Sequence, residues 1–232
     1  MYHLVALVPM RHHSERVPGK NYRPLAGRPL YTYIIRTLLA VPEIDLIVVD
    51  TDSPVIQAGL QANFPQVRVL ERPPHLRDGH IPMNDILVHD AHQVPAAFYL
   101  QTHSTNPLLR PETVRRAIQT FFDHYPAHDS LFSVTRWQTR LWDAHGRPLN
   151  HDPAHLLRTQ DLPPVYEENS CLYIFPRQGL LDRGNRLGER PLLFEIPRHE
   201  AIDIDEEIDF RLAECLVLGG QGSANGPAPP RS

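Results

Sequence analysis

Regular alternation is the feature that most constrains this chain. Short apolar runs recur along it, separated by segments of helical periodicity, with proline, serine or aspartate at the boundaries. Residues 3–9 read as a strand, 29–40 as a helix with a proline near its first turn, and Leu46–Asp50 as a second buried strand. Ser53 or Asp52 suits the cap of a helix starting at Pro54. Strands follow at Val67–Leu70, Ala96–Gln101 and Ser130–Val134. Between them lie a helix from Pro82 to His92 and another opened by Pro111, whose Val114, Ala117, Ile118, Phe121 and Phe122 share one face. The rhythm breaks over 137–168, a polar, proline-containing stretch that reads as an inserted arm or hairpin. Leu172–Phe175 returns to the sheet. A helix near 177–183, a strand at Leu192–Ile196 and a last helix from about Glu206 to Leu218 complete the pattern. The Gly-, Pro- and Ser-rich residues 219–232 read as a disordered tail. Such alternation implies one α/β domain over 1–218, a mostly parallel sheet between two helical layers. Ligands of such sheets bind beyond the carboxyl ends of the strands.

Four groups of residues fall at such ends. The first strand breaks into Arg11-His12-His13-Ser14-Glu15-Arg16-Val17-Pro18-Gly19-Lys20-Asn21. Arg11, Arg16 and Lys20 offer cations, and Gly19 allows close backbone approach, which suits a phosphate ester. The loop is neither a Walker loop nor a dinucleotide fingerprint, because both glycine patterns are absent. The second group is Asp203-Ile204-Asp205. In an extended segment the two carboxylates point to one side, where they repel unless a cation such as Mg²⁺ lies between them. Asp205 also fits a helix N-cap. The third is the polar loop Gln101–Arg110, with Gln101, Thr102 and Ser104 as donors and acceptors for a substrate. The fourth is Leu157–Ser170, where Arg158 could grip an anion and Asn169, with Tyr166, could read a polar substrate.

Composition excludes other classes. A net charge of −4 argues against general nucleic-acid binding. No apolar run approaches a membrane span and no signal peptide is evident, so a soluble cytoplasmic protein is expected, with Cys171 and Cys215 as reduced core residues. The His12-His13 pair lacks the companions of a zinc site.

Taken in order, the four groups resemble the acylneuraminate cytidylyltransferase family, the CMP-sialic acid synthetases and their relatives. The family pattern A-R-G-G-S-K-x-x-P-G-K-N, then x-x-P-L-x-G-x-P-L, is matched by Arg11–Asn21 and by Arg23-Pro24-Leu25-Ala26-Gly27-Arg28-Pro29-Leu30. Asp50-Thr51-Asp52, Glu71-Arg72-Pro73 with Leu76 and Asp78, the Gln101 loop, Arg158–Asn169 and Asp203–Asp205 follow in family order. The resemblance implies a three-layer Rossmann-like nucleotidyltransferase that couples CTP to an acidic, sialic-acid-like keto-sugar with Mg²⁺ and releases pyrophosphate. It implies that Arg11, Ser14, Lys20 and Asn21 hold the CTP phosphates and ribose, and that Arg72, Pro82 and Asn84 border the nucleotide. Gln101 would touch the sugar, alongside Thr102, Ser104, Arg158, Tyr166 and Asn169. Asp203 and Asp205 would carry the metal, and Arg11, Lys20 and Asp205 form the catalytic set. It further implies a homodimer whose arm reaches the partner's active site. Three departures stand out: Glu15 where the family usually has Lys, a Gln101 loop about two residues longer, and Glu167 two positions before Asn169. Two other readings stay open at this point. One keeps the fold but uses a phosphonate, a sugar phosphate or another NTP. The other is a nucleotide-binding regulator without catalysis.

Overall fold

A computed structural model describes residues 2–223. The first strand, β1 (Tyr2–Leu7), is buried on both faces from Leu4 onward, as a central parallel strand must be. A small hairpin follows, β2 (Pro24–Leu25) and β3 (Arg28–Pro29), turning at Ala26 and Gly27, both with positive φ. The helix expected from Pro29 therefore starts at Tyr31. Arg28 and Pro29 are committed to the hairpin, and the Leu30 N–H donates to the Arg23 carbonyl at 3.0 Å. Then come α1 (Tyr31–Leu39), β4 (Leu46–Thr51), α2 (Pro54–Asn63), β5 (Arg68–Glu71), α3 (Met83–Gln93), β6 (Ala96–Thr102) and α4 (Pro111–His124). Ser53 caps α2, its Oγ accepting from the Ile56 N–H at 3.4 Å. The chain continues through β7 (Ser130–Trp137), β8 (Val165–Pro176), α5 (Arg177–Arg183), β9 (Pro191–Glu195) and α6 (Glu207–Ser223).

The main sheet has the order β5-β4-β1-β6-β8-β7-β9. β8 alone runs against its neighbours β6 and β7; the other pairings are parallel. This reversal follows from the arm. β7 and β8 are the two legs of one long hairpin, and residues 138–164 between them form the insertion, without long regular elements. The ladder slips between Phe132 and Val134. Asn169 fills the gap: its Oδ1 accepts from Ser133 Oγ at 2.6 Å and from the Cys171 N–H at 3.2 Å, and its Nδ2 donates to Thr135 Oγ1 at 3.1 Å.

Strand alternation sorts the core. Leu4, Ala6 and Val8 pack on one side of the sheet with Ile34, Ile35 and Phe121 of α1 and α4. Val5 and Leu7 pack on the other with Leu87 of α3 and Leu180 of α5. A third cluster joins Val17 of the opening loop, Leu25 and Leu30 beside the hairpin, and Ile204, Phe210 and Ala213 at the start of α6. Burying these side chains, at roughly 1.5–3 kcal/mol each, clamps the opening loop against the Asp203–Asp205 segment.

Two expectations need correction. Cys215 is exposed on α6, whose apolar face turns Phe210 and Ala213 inward instead; Cys171 is buried as expected. The last helix does not stop at Leu218 but runs to Ser223, since an established helix adds a hydrogen bond for each further residue. The rest of the expected tail, 224–232, lies outside the described residues. Among the described residues no helix is long and apolar enough to cross a membrane.

Candidate active site

The chain runs outward from β1 through β4 to the edge strand β5 and then returns to β6 on the other side of β1, so the sheet's switch point lies between β1 and β6. A cleft of about 550 Å³ opens there. Its walls come from the loop after β1, the end of β5, the approach to α3, the loop after β6, and the segment before α6.

The opening loop is fixed before any ligand arrives. Gly19 sits in the left-handed region at φ 66°, and a Cβ there would lie 2.9 Å from the Tyr22 ring. The turn it makes leads into a short 3₁₀ helix, Lys20–Tyr22. Asn21 then ties the loop down: its Nδ2 donates to the Arg11 carbonyl at 2.7 Å and its Oδ1 accepts from Ser104 Oγ at 2.7 Å. The His12 N–H donates to Asp52 Oδ1 at 2.7 Å, anchoring the loop to the end of β4.

Lys20 donates to the Ile204 carbonyl and lies 3.6 Å from Asp205 Oδ1. Arg16 donates to the same oxygen at 2.8 Å, so this arginine, one position after Glu15, faces the acidic pair. Burial pulls the Lys20 pKa below its ordinary value, against the attraction of Asp205 and Asp203. Asp203 is shifted upward, chiefly by burial, and its Oδ1 is buried with no hydrogen-bond partner among the described residues. Asp205 does not cap α6, which starts at Glu207: its carboxylate accepts from Arg16 and faces the cleft, while Asp209 in the first turn of α6 reaches back, its Oδ2 accepting from the N–H groups of Asp205 (3.1 Å) and Glu206 (2.8 Å).

Arg72 closes the floor. It is buried and bonded to Asp50, which is itself fully buried at the end of β4. Asp90 of α3 lies beside that pair, and oxygens of Asp50 and Asp90 lie within 4.8 Å of one another and of His89. Burial, with Asp50 nearby, holds the Asp90 carboxyl well above the usual range.

The cleft thus gathers Arg11, Ser14, Lys20, Asn21, Arg72, Ser104, Asp203 and Asp205. Pro82 and Asn84 are not among its lining residues, although their neighbours Ile81, Met83 and Ile86 are. Other expected site residues lie elsewhere. Gln101 is fully buried behind the wall. Thr102 Oγ1 donates to the Cys171 carbonyl at 2.7 Å, and Asn169 fills the β-bulge. Arg158 pairs with Asp161 at 2.7 Å on the exposed arm, and Tyr166 stands exposed at the arm's base.

A cleft in which several cations meet two carboxylates can bind a polyphosphate together with a divalent cation. A family model described as cytidylyltransferase matches residues 5–205. The chain belongs to the cytidylyltransferase family. Among its relatives, N-acylneuraminate cytidylyltransferase A of Danio rerio is 28% identical over 93% of this chain and 51% of its own length. The CMP-N,N'-diacetyllegionaminic acid synthase of Legionella pneumophila is 30% identical over 92% of this chain and 96% of its own. The chain spans about half the length of the fish relatives it matches. In fold, it is similar to a CMP:2-keto-3-deoxy-manno-octonic acid synthetase solved with CTP, at TM-score 0.68 and 19% identity, covering 94% of this chain and 99% of that one. A 4-diphosphocytidyl-2C-methyl-D-erythritol synthase of Anaerococcus prevotii gives 0.66 at 12% identity, covering 94% and 96%. The mostly parallel three-layer sheet read from the alternation, and the Rossmann-like nucleotidyltransferase fold implied by the resemblance, are what is found.

Two cleft residues were not among the expected site residues. Arg186, from the loop after α5, and His103, two positions beyond Gln101, both line the cleft. The polarity of the Gln101 loop was a signal for His103. Nothing in the run Gly184-Asn185-Arg186 distinguishes it from a surface turn.

Proposed function

We propose that the chain transfers CMP from CTP to a hydroxyl of an acidic, nonulosonic-type keto-sugar, yielding a CMP-sugar and pyrophosphate, as a cytoplasmic homodimer. The observation that carries this reading is the meeting of Arg11, Lys20 and Arg72 with Asp203 and Asp205 in one cleft of a cytidylyltransferase fold. The names of its relatives, which act on N-acylneuraminate, diacetyllegionaminate and pseudaminate, support the acceptor class.

In this reading Arg11, Ser14, Lys20 and Asn21 bind the triphosphate and ribose, and the cationic side chains offset charge that develops on the departing pyrophosphate. The preset turn at Gly19 and the bonds of Asn21 mean that the loop need not reorganise as it binds. Arg72, held by Asp50, borders the base and ribose with the Pro82–Asn84 stretch. Asp203 and Asp205 fit Mg²⁺: the partnerless buried Oδ1 of Asp203 is an oxygen that a hard cation satisfies. Bound there, the ion would neutralise phosphate charge and lower the pKa of the attacking hydroxyl. Arg16 and Lys20 neutralise Asp205 in the free protein, so the acidic pair is not left with uncompensated charge. The arm exposes Trp142, Leu149, Leu156 and Leu157, an apolar surface that supports contact with a second copy, where Arg158 and Tyr166 would meet the partner's substrate.

Pyrophosphate release, measured with each of the four NTPs, Mg²⁺ and a panel of acidic sugars, tests the reading. CTP with an acidic keto-sugar is expected to support turnover. Release with another NTP only, or with sugar phosphates only, would refute it.

A further inference from the structure

Three side chains at the cleft wall form a hydrogen-bonded chain that the reading above leaves unused. Arg186 Nη1 donates to Gln101 Oε1 at 2.6 Å. Its guanidinium lies over the Tyr173 ring, 3.5 Å from the centroid. Gln101 Nε2 lies 3.0 Å from His103 Nε2 and donates to the Thr102 carbonyl at 3.2 Å. The Arg186 backbone N–H donates to Asn84 Oδ1 at 3.2 Å, which ties its loop to α3.

Donor types fix every proton in this chain. A guanidinium only donates, so the Gln101 oxygen must face Arg186 and its nitrogen must face His103. An amide nitrogen only donates, so His103 Nε2 must accept, and the ring proton sits on Nδ1. His103 lines the cleft, and its Nδ1 makes no hydrogen bond among the described residues. Burial, with Arg186 and Lys20 nearby, presses the same way and takes the His103 pKa down to about 3. Arg186 is pulled below its ordinary pKa by burial, yet a guanidinium keeps its proton in proteins. It makes no salt bridge among the described residues. Glu168, whose charge favours it, already accepts from the Tyr173 hydroxyl. Here the cleft therefore presents a cation without an ion pair among the described residues, beside a neutral N–H donor. Both stand on the β6–β8 side of the sheet, whereas Arg11, Lys20 and Arg72 come from the β1 and β5 side.

We propose that Gln101 is a positioning residue that does not touch substrate: it orients Arg186 to anchor the acceptor's carboxylate and His103 to donate from Nδ1 to a neutral oxygen of the same acceptor. This rests on the acidic-sugar reading above. It reassigns Gln101, whose two amide ends are already occupied inside the protein. A planar guanidinium fork matches a carboxylate, and a neutral imidazole N–H matches a hydroxyl or amide oxygen.

The test has two arms, both on the full chain. In the first, ¹⁵N NMR of the free protein reads the His103 tautomer. Nδ1–H is expected in the wild type from mildly acid to mildly alkaline pH. Gln101→Glu is expected to place a proton on Nε2, because the new carboxylate only accepts. A wild-type Nε2–H tautomer, or no change in Gln101→Glu, would overturn the relay. In the second arm, KM is measured for CTP and for an acidic keto-sugar, N-acetylneuraminate first. Gln101→Glu and Arg186→Met are each expected to raise the sugar KM about 10- to 100-fold, the loss of one charge-assisted contact, with the CTP KM essentially unchanged. Arg186→Lys is expected to recover part of the loss. A rise in the CTP KM instead would place Arg186 on the triphosphate and overturn the assignment. Wild-type protein that releases pyrophosphate with no acidic sugar would refute the parent reading and the carboxylate anchor with it, while the tautomer arm would still decide the relay.

Discussion

The buried cluster beneath the cleft makes a sharp prediction about which carboxylate matters. Arg72, Asp50 and Asp90 are 4%, 0% and 1% exposed. One guanidinium faces two carboxyls, so the cluster is neutral only if one of them keeps its proton. Asp50 bonds Arg72 directly, whereas both oxygens of Asp90 lack a donor among the described residues. Two carboxyls this close can bond only through a shared proton. Burial first, and the nearby Asp50 second, raise Asp90 and leave the proton there. Asp90→Asn keeps the shape and supplies a permanent donor, so it should cost less than about 1 kcal/mol. Asp50→Asn strips a buried arginine of its counter-charge, which costs roughly 3–5 kcal/mol, or roughly 6–20 °C in melting temperature for a domain of this size.

The pH dependence separates the two further. Folded Asp90 holds a proton that the unfolded chain has already released above the ordinary carboxylate range. Wild-type stability should therefore fall as pH rises from that range toward the raised value, by up to about 1.4 kcal/mol per unit. Asp90→Asn has no proton to hold and lacks that slope, so it should gain on the wild type as pH rises. Urea unfolding from pH 4 to 8 reads both effects. Equal costs for the two variants, or parallel pH curves for Asp90→Asn and wild type, would refute a proton resident on Asp90.

Three further outcomes follow from the site. Asp205→Ala should lower pyrophosphate release by about 10²–10³-fold while leaving the melting temperature nearly unchanged, because the Asp205 carboxylate is half exposed and the backbone bonds from Asp205 and Glu206 to Asp209 do not involve it. Gly79→Ala would bring a Cβ to 2.5 Å from Arg11 Nη1, a flexible end that can move; the KM for CTP should rise about tenfold with stability preserved, and an unchanged KM would remove Arg11 from the triphosphate. Leu156 and Leu157 are 73% and 52% exposed on the arm, so under the proposed homodimer the wild type should sediment as a dimer and the double change to Glu as a folded monomer.

The parallel part of the sheet was legible because strands covered on both faces appear as unbroken apolar runs, as Leu4–Val8 and Leu46–Val49 do. The reversal of β8 was not, since an apolar run looks the same in either direction and only the hairpin through the arm sets it. The β2–β3 hairpin is too short to have a period. The same division runs through the site. Arg11, Lys20, Asp203 and Asp205 announce themselves because local spacing makes their charges conspicuous. Asp90 and Arg186 do not, because each reads as an ordinary surface charge until α3 packs under β4 and the loop after α5 folds over Tyr173. Gln101 shows the limit most clearly. Its type and its place at a strand end marked it as a ligand for a substrate, and the family resemblance made that substrate a sugar, yet which way its amide points is decided 85 positions away. With Arg186 in place its oxygen is taken, its nitrogen must serve His103, and the group presented to the cleft is no longer the one the loop's own residues suggested.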